Sequence, residues 1–369
     1  MSEQKDPIVI VGAARTPMGG FQGDLKDTKA PQLGAVAIKS ALQRAGLKPG
    51  DADEVIMGVV LPAGQGQAPA RQSSRGAGIP DDVGCTTVNK MCGSGMKAAM
   101  LAHDGILAGS ASIAVAGGME SMSNAPYLLS RARQDYRMGH GEVFDHMFLD
   151  GLEDAYDKGK LMGCYAEDTA TAYQFTRDAQ DDFAIESLNR ARKAIEDGTF
   201  DAEVAPVTVN TRKGKTTVER DEQPLKADIQ KIRKLKPAFA ADGTVTAANS
   251  SSISDGGAAL VLMRRSEADK RALTPLAAIR GNATHAQAPA WFTTAPIGAV
   301  QKLLDKTGWS KDEVDLFEIN EAFAVVTMAA MRDLNVPHDK VNVHGGACAL
   351  GHPIGASGAR IIVTLLAAL

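Results

Sequence analysis

The chain of 369 residues is 44% hydrophobic and 23% charged, with a formal net charge of −4, a composition typical of a soluble globular protein with a large buried core. It lacks the basic surplus that neutralises phosphates, so nucleic acid is not expected as the main partner. The N-terminal segment lacks a basic stretch followed by a long apolar one, and no apolar run could span a membrane, so we expect a cytoplasmic protein.

Strands and helices alternate along the first part of the chain. We predict a strand at Ile8–Gly12, a helix at Ala35–Ala45 and an apolar strand within residues 51–60. A second helix is predicted to open at residues 94–97, and a strand follows at residues 112–121. This alternation predicts an α/β fold with a mostly parallel sheet and helices on its faces.

The middle of the chain, residues 123–247, is more charged and rich in turn residues. It contains a helix predicted at Asp178–Glu196 from apolar residues at helical spacing. The basic run Lys231–Lys236 is interpreted as a solvated surface, with a phosphate-facing role as the alternative. We therefore predict an inserted loop domain here.

The last part of the chain repeats the first. The recurring elements are a strand at Leu276–Arg280, a helix at Ile297–Lys306, an apolar segment at residues 310–319 and a helix opening with Ser-Gly-x-basic at residues 357–360. The duplication predicts two similar α/β halves, one from residues 1–122 with 248–272 and one from residues 273–369. The first half has a strand after its last helix, whereas the second ends at Leu369. The last strands of the second half are therefore expected to be missing, leaving apolar surface on the helix predicted at Ala359–Leu369.

The cysteines do not indicate a disulfide or a zinc site. There are four of them, with no C-x-x-C pair: Cys85, Cys92, Cys164 and Cys348. The residues His344, Cys348 and His352 are spaced four apart, as ligands on one helix face would be. Glycines and a proline between and after them oppose a continuous helix, so no metal site is expected.

Cys92 lies in a glycine-rich turn at the start of a predicted helix. Unpaired N–H groups of the first helical turn would lower the pKa of its thiol and could hold an oxyanion on an attached acyl group. A small structural cysteine is the alternative, and the local sequence favours neither. Asn320 follows a predicted strand and His352 precedes the helix that the repeat pairs with that of Cys92. Since functional groups collect at the carboxyl ends of parallel strands, all three are expected to meet there, where the histidine could take the thiol proton.

Four segments together resemble the motifs of the thiolase family: VNKMCGSGMKA at Cys92, GGMESMS in the next strand, NEAFA at Asn320 and GGACALGHPIGASGAR at His352. The acetyl-CoA acetyltransferase members of bacteria are the most similar. The resemblance implies a duplicated thiolase fold of two five-layered (αβαβα) halves with an inserted loop domain, and a homotetramer. It also implies reversible Claisen condensation of two acetyl-CoA molecules to acetoacetyl-CoA and coenzyme A, with no metal or redox cofactor.

The resemblance also implies roles for individual residues. Cys92 would accept the acyl group, and His352 would activate it and donate to the thioester oxygen of the second acyl group. Asn320 would hold a water that completes this oxyanion hole.

Three further residues match the region that binds coenzyme A. Ser251 matches a serine at coenzyme A, although this chain has Asn-Ser-Ser-Ser where the family more often has Asn-Ala-Ser-Gly. Met162 matches a methionine at the pantetheine, next to Leu161 where biosynthetic members often have histidine. Phe292 falls near the acyl pocket, with a core aromatic residue as the alternative.

The sequence departs from the family in one respect. Thiolases carry a second cysteine in a terminal Cys-x-Gly-Gly-Gly motif that deprotonates the incoming acetyl group, and the 369 residues contain no such motif. Cys348 lies on the wrong side of the histidine motif and is not a candidate for this role. We therefore expect the chain as written to be nearly or wholly inactive in condensation. The alternatives are a broader-range 3-ketoacyl-CoA thiolase, a ketoacyl-synthase-like enzyme and a non-catalytic acyl-CoA-binding protein.

Overall fold

A computed structural model describes residues 6–134, 136–211 and 214–369. The strands are β1 Ile8–Arg15, β2 Gly19–Gly20, β3 Glu54–Gly58, β4 Gly84–Val88, β5 Ile113–Ser121, β6 Tyr127–Leu128, β7 Phe144–Asp145, β8 Val207–Thr211, β9 Gly214–Val218, β10 Ser254–Arg264 and β11 Ala277–Ala278. The helices are α1 Ala30–Arg44, α2 Pro69–Gly76, α3 Ser94–Ala108, α4 Met162–Tyr173, α5 Arg177–Glu196, α6 Glu222–Lys226, α7 Ile229–Ile232, α8 Arg265–Lys270, α9 Ala295–Thr307, α10 Ala324–Leu334, α11 Ala347–Leu350 and α12 Ile354–Ala368. Residues 1–5 belong to the N-terminal segment that lacks the pattern of a leader peptide, and they lie outside the described residues.

The central sheet is mixed. Its strands run in the order β11-β1-β10-β5-β3-β4, with β2 paired to β10. β3 is parallel to both β4 and β5, whereas β10 is antiparallel to both β1 and β5. The sequence predicted a mostly parallel sheet because it predicted regular crossovers. β10 is reached only after the long middle segment, and such a connection does not impose parallel pairing.

Helices cover the sheet on both faces. α1 packs on one face, where Ile38 and Leu42 meet Val9 of β1, and α3 and α12 pack on the other, where Ala98 and Val363 belong to one apolar cluster with the opposite side of β1. A strand that is buried on both faces has a continuous apolar sequence, as β1 does. The predicted strand at Ile8–Gly12 and helix at Ala35–Ala45 are confirmed, each as part of a longer element.

The second half builds little sheet within the described residues. β11 is shorter than the predicted strand Leu276–Arg280 and joins the edge of the central sheet beside β1. The apolar segment at residues 310–319 was predicted as a strand, and this prediction is wrong. In the described residues this segment makes one isolated β-bridge, between Phe317 and Val341. The helix predicted at Ile297–Lys306 is confirmed as α9. Most of α12 is buried against the sheet and α3, so the expected apolar surface is confined to its last turn, where Leu369 is 75% exposed.

The middle segment contains α5, which confirms the predicted helix Asp178–Glu196, and its division from the rest of the chain as a loop domain stays a prediction. Arg15, at the end of β1, forms ion pairs of 2.7 Å with Glu203 and with Asp221 of this segment. All three side chains are at most 1% exposed. None of the helices in the described ranges has both the length and the apolar character needed to cross a membrane.

Arg15→Met should lower the free energy of unfolding by about 3 kcal/mol, because it leaves two buried carboxylates unpaired. Denaturant unfolding followed by circular dichroism measures this loss. Arg271→Met is the matched control: Arg271 pairs with Asp51 and Glu267 but is 34% exposed, so its loss should cost less than about 1 kcal/mol. Equal effects of the two substitutions would contradict the structural role of the buried cluster.

Candidate active site

The two helices that the repeat pairs, α3 and α12, pack against each other through glycines. A Cβ atom on Gly95 would lie 2.7 Å from the backbone nitrogen of Ala359, and one on Gly358 would lie 2.6 Å from that of Met96. Such separations are shorter than any side chain tolerates, so glycine is required at both positions. The first turns of the two helices therefore lie side by side, as do the segments that precede them.

The turn before α3 holds Cys92. The Ser94 hydroxyl accepts a hydrogen bond from the Lys90 backbone N–H at 2.8 Å and donates one to the Met91 carbonyl at 2.6 Å. Met91 has a φ of 47°, in the left-handed region. These contacts close the chain into a tight loop immediately before the helix begins at Ser94, with Cys92 at the mouth of that helix, as the sequence predicted.

The pKa of the Cys92 thiol is shifted opposite to our expectation. Cys92 is exposed as a residue, yet enough protein surrounds its sulfur that burial raises the pKa of the thiol to about 11. The backbone N–H of Cys92 acts in the other direction, and the negative charge of Glu120 adds to the rise. Loss of water around the sulfur thus outweighs the helix N-terminus. The thiol is neutral near pH 7 and needs a base.

His352 is a buried imidazole with hydrogen-bond partners on both nitrogens. Its Nδ1 lies 2.6 Å from the Ser357 hydroxyl, which itself lies 3.0 Å from the Pro353 carbonyl oxygen. The hydroxyl has one hydrogen, so when it donates to the carbonyl it accepts from Nδ1–H. The Asn320 amide nitrogen lies 3.4 Å from Nε2, and that nitrogen can only donate. Both contacts agree with an Nε2 that carries no proton.

Burial also sets the charge of this histidine. It lowers the pKa of His352 to about 3, and the positive charge of Arg360 contributes to the shift. The imidazole is therefore neutral over the physiological range, with its Nε2 lone pair available to accept a proton.

Asn320 is held between two buried glutamates and keeps one free acceptor. Glu318 receives a hydrogen bond of 2.9 Å from Arg360 of α12, and Glu321 receives bonds from Ser187 and Asn342. Between them, the Asn320 Oδ1 atom is buried and makes no hydrogen bond to any described residue. It can accept one from a water or a ligand.

The structure brings the predicted catalytic residues to one edge of the sheet. Asn320 and His352 are within hydrogen-bond reach of each other. Cys92 is brought to the same edge by the packing of α3 on α12, although no hydrogen bond joins it to His352 in the described structure. Their catalytic roles remain predictions.

The predicted coenzyme A residues lie near the Asn320 segment. The Ser251 hydroxyl donates to the Ala322 carbonyl at 2.9 Å. Met162 is the first residue of α4 and belongs to one apolar cluster with Phe292, which packs edge-on against Tyr165. Phe292 is thus partly buried in that cluster, and contact of these residues with coenzyme A remains a prediction.

Cys348 is half-buried next to Glu321. Its sulfur faces the Glu321 carbonyl at 3.7 Å, and burial raises the pKa of its thiol well above the ordinary range. α11 contains only four residues, Ala347–Leu350, so His344 and His352 do not share a helix face with Cys348. No group of three potential metal ligands forms among the residues that the structure describes.

Two polar residues of the site were not identified from sequence. Ser357 belongs to the Ser-Gly-x-basic repeat, and Glu120 belongs to the GGMESMS motif. The repeated serine was a usable signal, because the hydroxyls of Ser94 and Ser357 each donate to a backbone carbonyl of the turn before their helix. Apart from its place in GGMESMS, at the end of an apolar strand, nothing in the sequence marked Glu120 as a residue of the site.

Comparison with known proteins identifies the same family throughout the chain. Residues 8–266 match the family "Thiolase, N-terminal domain" and residues 273–369 match "Thiolase, C-terminal domain". Acetyl-CoA acetyltransferase 2 of Arabidopsis thaliana is 51% identical over 99% of this chain and 92% of its own length. Acetyl-CoA acetyltransferase of Cupriavidus necator is 48% identical over 97% of this chain and 92% of its own. The crystal structure of the Acat5 thiolase of Ascaris suum in complex with coenzyme A superposes with a TM-score of 0.93, at 41% identity, over 98% of this chain and 93% of that one.

Alkylation of Cys92 by iodoacetamide should keep accelerating up to about pH 11, because the thiolate forms only there. The rate is measured between pH 7 and pH 11 by mass spectrometry of the Cys92 peptide. The Cys85 peptide of the same digest provides an internal reference for reagent quality. A plateau of the Cys92 rate below pH 9 would contradict the dominance of burial over the helix N-terminus.

Proposed function

The chain belongs to the thiolase family, and on that premise we propose that it is an acetyl-CoA C-acetyltransferase that condenses two acetyl-CoA molecules to acetoacetyl-CoA and coenzyme A, reversibly. Relatives named acetyl-CoA acetyltransferase, 48% and 51% identical, support the choice of substrate. The observation that carries the mechanism is the unprotonated Nε2 of His352 beside Asn320, at the edge of the sheet that also holds Cys92. We propose that no metal or redox cofactor takes part, since the Cys92 thiol and the His352 imidazole supply the proton transfers of the first step.

The first step moves the acetyl group to Cys92. A thiol with a pKa of about 11 and an imidazole with a pKa of about 3 are both neutral at pH 7. The Cys92 proton therefore passes to His352 as the sulfur attacks the thioester carbonyl. The tetrahedral oxyanion is stabilised by backbone N–H groups at the mouth of α3. Its collapse breaks the bond to the coenzyme A sulfur, which leaves as the thiol after taking the proton back from His352.

The second step joins the two carbon chains. A second acetyl-CoA loses a methyl proton, and its carbanion attacks the acetyl carbonyl on Cys92, which leaves as thiolate. We propose that a water held by the free Oδ1 of Asn320 donates to the oxygen of this second thioester. The His352 ring, neutral again after the first step, also donates in the tautomer that carries its single hydrogen on Nε2, with the Ser357 hydroxyl turned to donate to Nδ1. The family resemblance assigns the methyl proton to a terminal cysteine motif that the 369 residues do not contain. The proposed roles of Cys92 and His352 are therefore tested on the first half-reaction, the transfer of the acetyl group to Cys92.

The coenzyme A site is proposed at Ser251, Met162 and Phe292. The Acat5 thiolase was solved in complex with coenzyme A, and its close structural similarity supports binding of acyl-CoA here. Met162 and Phe292 share their apolar cluster with Phe239 and Phe323. We propose that these aromatic rings restrict the acyl group to a short chain, which favours acetyl-CoA over the longer substrates of a broader-range 3-ketoacyl-CoA thiolase.

We also propose that the protein is a homotetramer acting in the cytoplasm. Large apolar side chains of the loop domain face solvent around the β6–β7 hairpin: Tyr127 is 69% exposed, Met138 99% and Tyr156 84%. A patch of this kind is typical of a surface covered by another chain. The cytoplasmic location rests on the sequence expectation alone.

Light scattering after size exclusion should give a mass of four 38.7 kDa chains. Met138→Asp should lower this mass because it places a charge among the exposed apolar side chains around the β6–β7 hairpin. Lys311→Asp, a partly exposed position outside that group, is the control and should leave the mass unchanged. A wild-type mass of one chain would contradict the proposed assembly.

Acetyl-CoA should add one acetyl group to the protein, on Cys92 alone. Intact mass and peptide mapping after rapid quenching detect it. Cys92→Ala should abolish the adduct, and His352→Ala should slow its formation by about a hundred-fold or more, since the base is lost. Cys348→Ala serves as the thiol control and should be acetylated at the wild-type rate.

Three outcomes separate the alternatives. Binding of acetyl-CoA without an adduct favours the non-catalytic binding protein. Acetylation by carrier-protein thioesters but not by coenzyme A esters favours a ketoacyl-synthase-like enzyme. Near-normal acetylation of His352→Ala would refute the proposed base.

A further inference from the structure

A buried carboxylate that the mechanism does not use lies at the end of β5. Glu120 is 0% exposed. Its Oε2 accepts hydrogen bonds from the backbone N–H groups of Val60 and Gly355, each at 2.9 Å, and its Oε1 accepts one from Leu61 at 3.1 Å. All of these partners are donors, and none carries a charge. This arrangement suits an ionised carboxylate, because a protonated one would leave its own hydrogen without an acceptor.

These three bonds reach two different parts of the site. Val60 and Leu61 directly follow β3, and the neighbouring Val59 donates from its backbone nitrogen to the Val88 carbonyl at 3.1 Å. Val88 ends β4, the strand that leads into the turn of Cys92. Gly355 is the second residue of α12, three positions after His352. One side chain thus links the segment next to the nucleophile with the segment that carries the base.

We infer that Glu120 is a positioning residue for acetyl transfer, whose carboxylate holds the start of α12, and with it His352, at a fixed distance from the Cys92 turn. This inference rests on the proposed function. The close fit at Gly355 supports it: a Cβ there would lie 2.7 Å from Glu120 Oε2 and 2.8 Å from the Met119 carbonyl. The helix start can approach the carboxylate only because residue 355 is glycine.

A charged side chain at this position has a second effect. Burial raises the pKa of Glu120 to about 7, and the Asp255 carboxylate facing it adds to the rise. The Glu120 charge in turn raises the pKa of Cys92. Asp255 and Cys92 are ionisable groups whose charges interact with that of Glu120, so neutralising Glu120 should make the Cys92 thiolate easier to form. A residue that serves only stability would not change this titration.

The test compares Glu120→Gln with Asp255→Asn in the whole protein. Glutamine turns an NH₂ group towards backbone N–H donors and so breaks at least one link. Asp255 is a buried carboxylate on the neighbouring strand, with a pKa raised to about 6, mainly by burial, but it bonds the Ser123 N–H rather than α12. Two readouts are taken: the rate of Cys92 acetylation across acetyl-CoA concentrations, and the pH profile of Cys92 alkylation.

For Glu120→Gln we expect the limiting acetylation rate to fall by about ten-fold or more, with the half-saturating acetyl-CoA concentration within two-fold of wild type. The alkylation profile should move to lower pH. Asp255→Asn should keep the wild-type limiting rate. Unchanged acetylation overturns the inference, as does a slower rate with an unshifted alkylation profile, which would indicate a structural role only.

Gly355→Ala gives an independent test if Glu120→Gln fails to fold. Its methyl group pushes the start of α12 away from Glu120 while keeping the charge. The acetylation rate should fall, and alkylation of Cys92 should keep its wild-type profile; a wild-type rate overturns the inference. If the wild-type protein is not acetylated at all, the proposed function fails, whereas the alkylation profiles of wild type and Glu120→Gln still decide whether Glu120 acts on Cys92.

Discussion

The contact on which the site depends is the approach of α3 to α12 through Gly95 and Gly358. Two helices that cross with ordinary side chains between them are 8–10 Å apart, and glycine at the crossing lets their backbones touch. Gly95 is the second residue of α3 and Gly358 is the fifth residue of α12, so the crossing lies near the N-terminus of each helix. It brings the turn that carries Cys92, the predicted nucleophile, towards the turn that carries His352, the predicted base.

The repeated serines act on both turns, although the turns differ. Ser94 is the first residue of α3 and holds the loop around Cys92, two residues before it. Ser357 is the fourth residue of α12 and holds the Nδ1 of His352, five residues before it. The two halves thus use a serine of the same motif to fix a sulfur in one turn and an imidazole in the other. The basic residues have diverged, since Arg360 is buried in an ion pair with Glu318, whereas Lys97 lies closer to solvent.

Sequence reasoning succeeded where the signal was local and periodic. The predicted helix Asp178–Glu196 matches α5 to within one residue, and the predicted strand Ile8–Gly12 covers five of the eight residues of β1. The placement of functional groups at strand ends also predicted that Asn320 and His352 would lie close together. Sequence reasoning failed where the outcome depended on distant parts of the chain. The antiparallel insertion of β10 follows from how the loop domain returns to the sheet, and the pKa of Cys92 depends on how many atoms of other segments surround it.

The same dependence on distant segments decides how the site can work. A helix N-terminus alone favours a thiolate, which any alkylating or oxidising agent could attack. Burial and the nearby charge of Glu120 oppose that thiolate, and burial with Arg360 opposes an imidazolium at His352. Both shifts favour a neutral thiol and a neutral imidazole at rest. In the acetyl transfer proposed above, charge would separate only when a thioester carbonyl is present to receive it, so proton transfer and attack on the carbonyl would occur together.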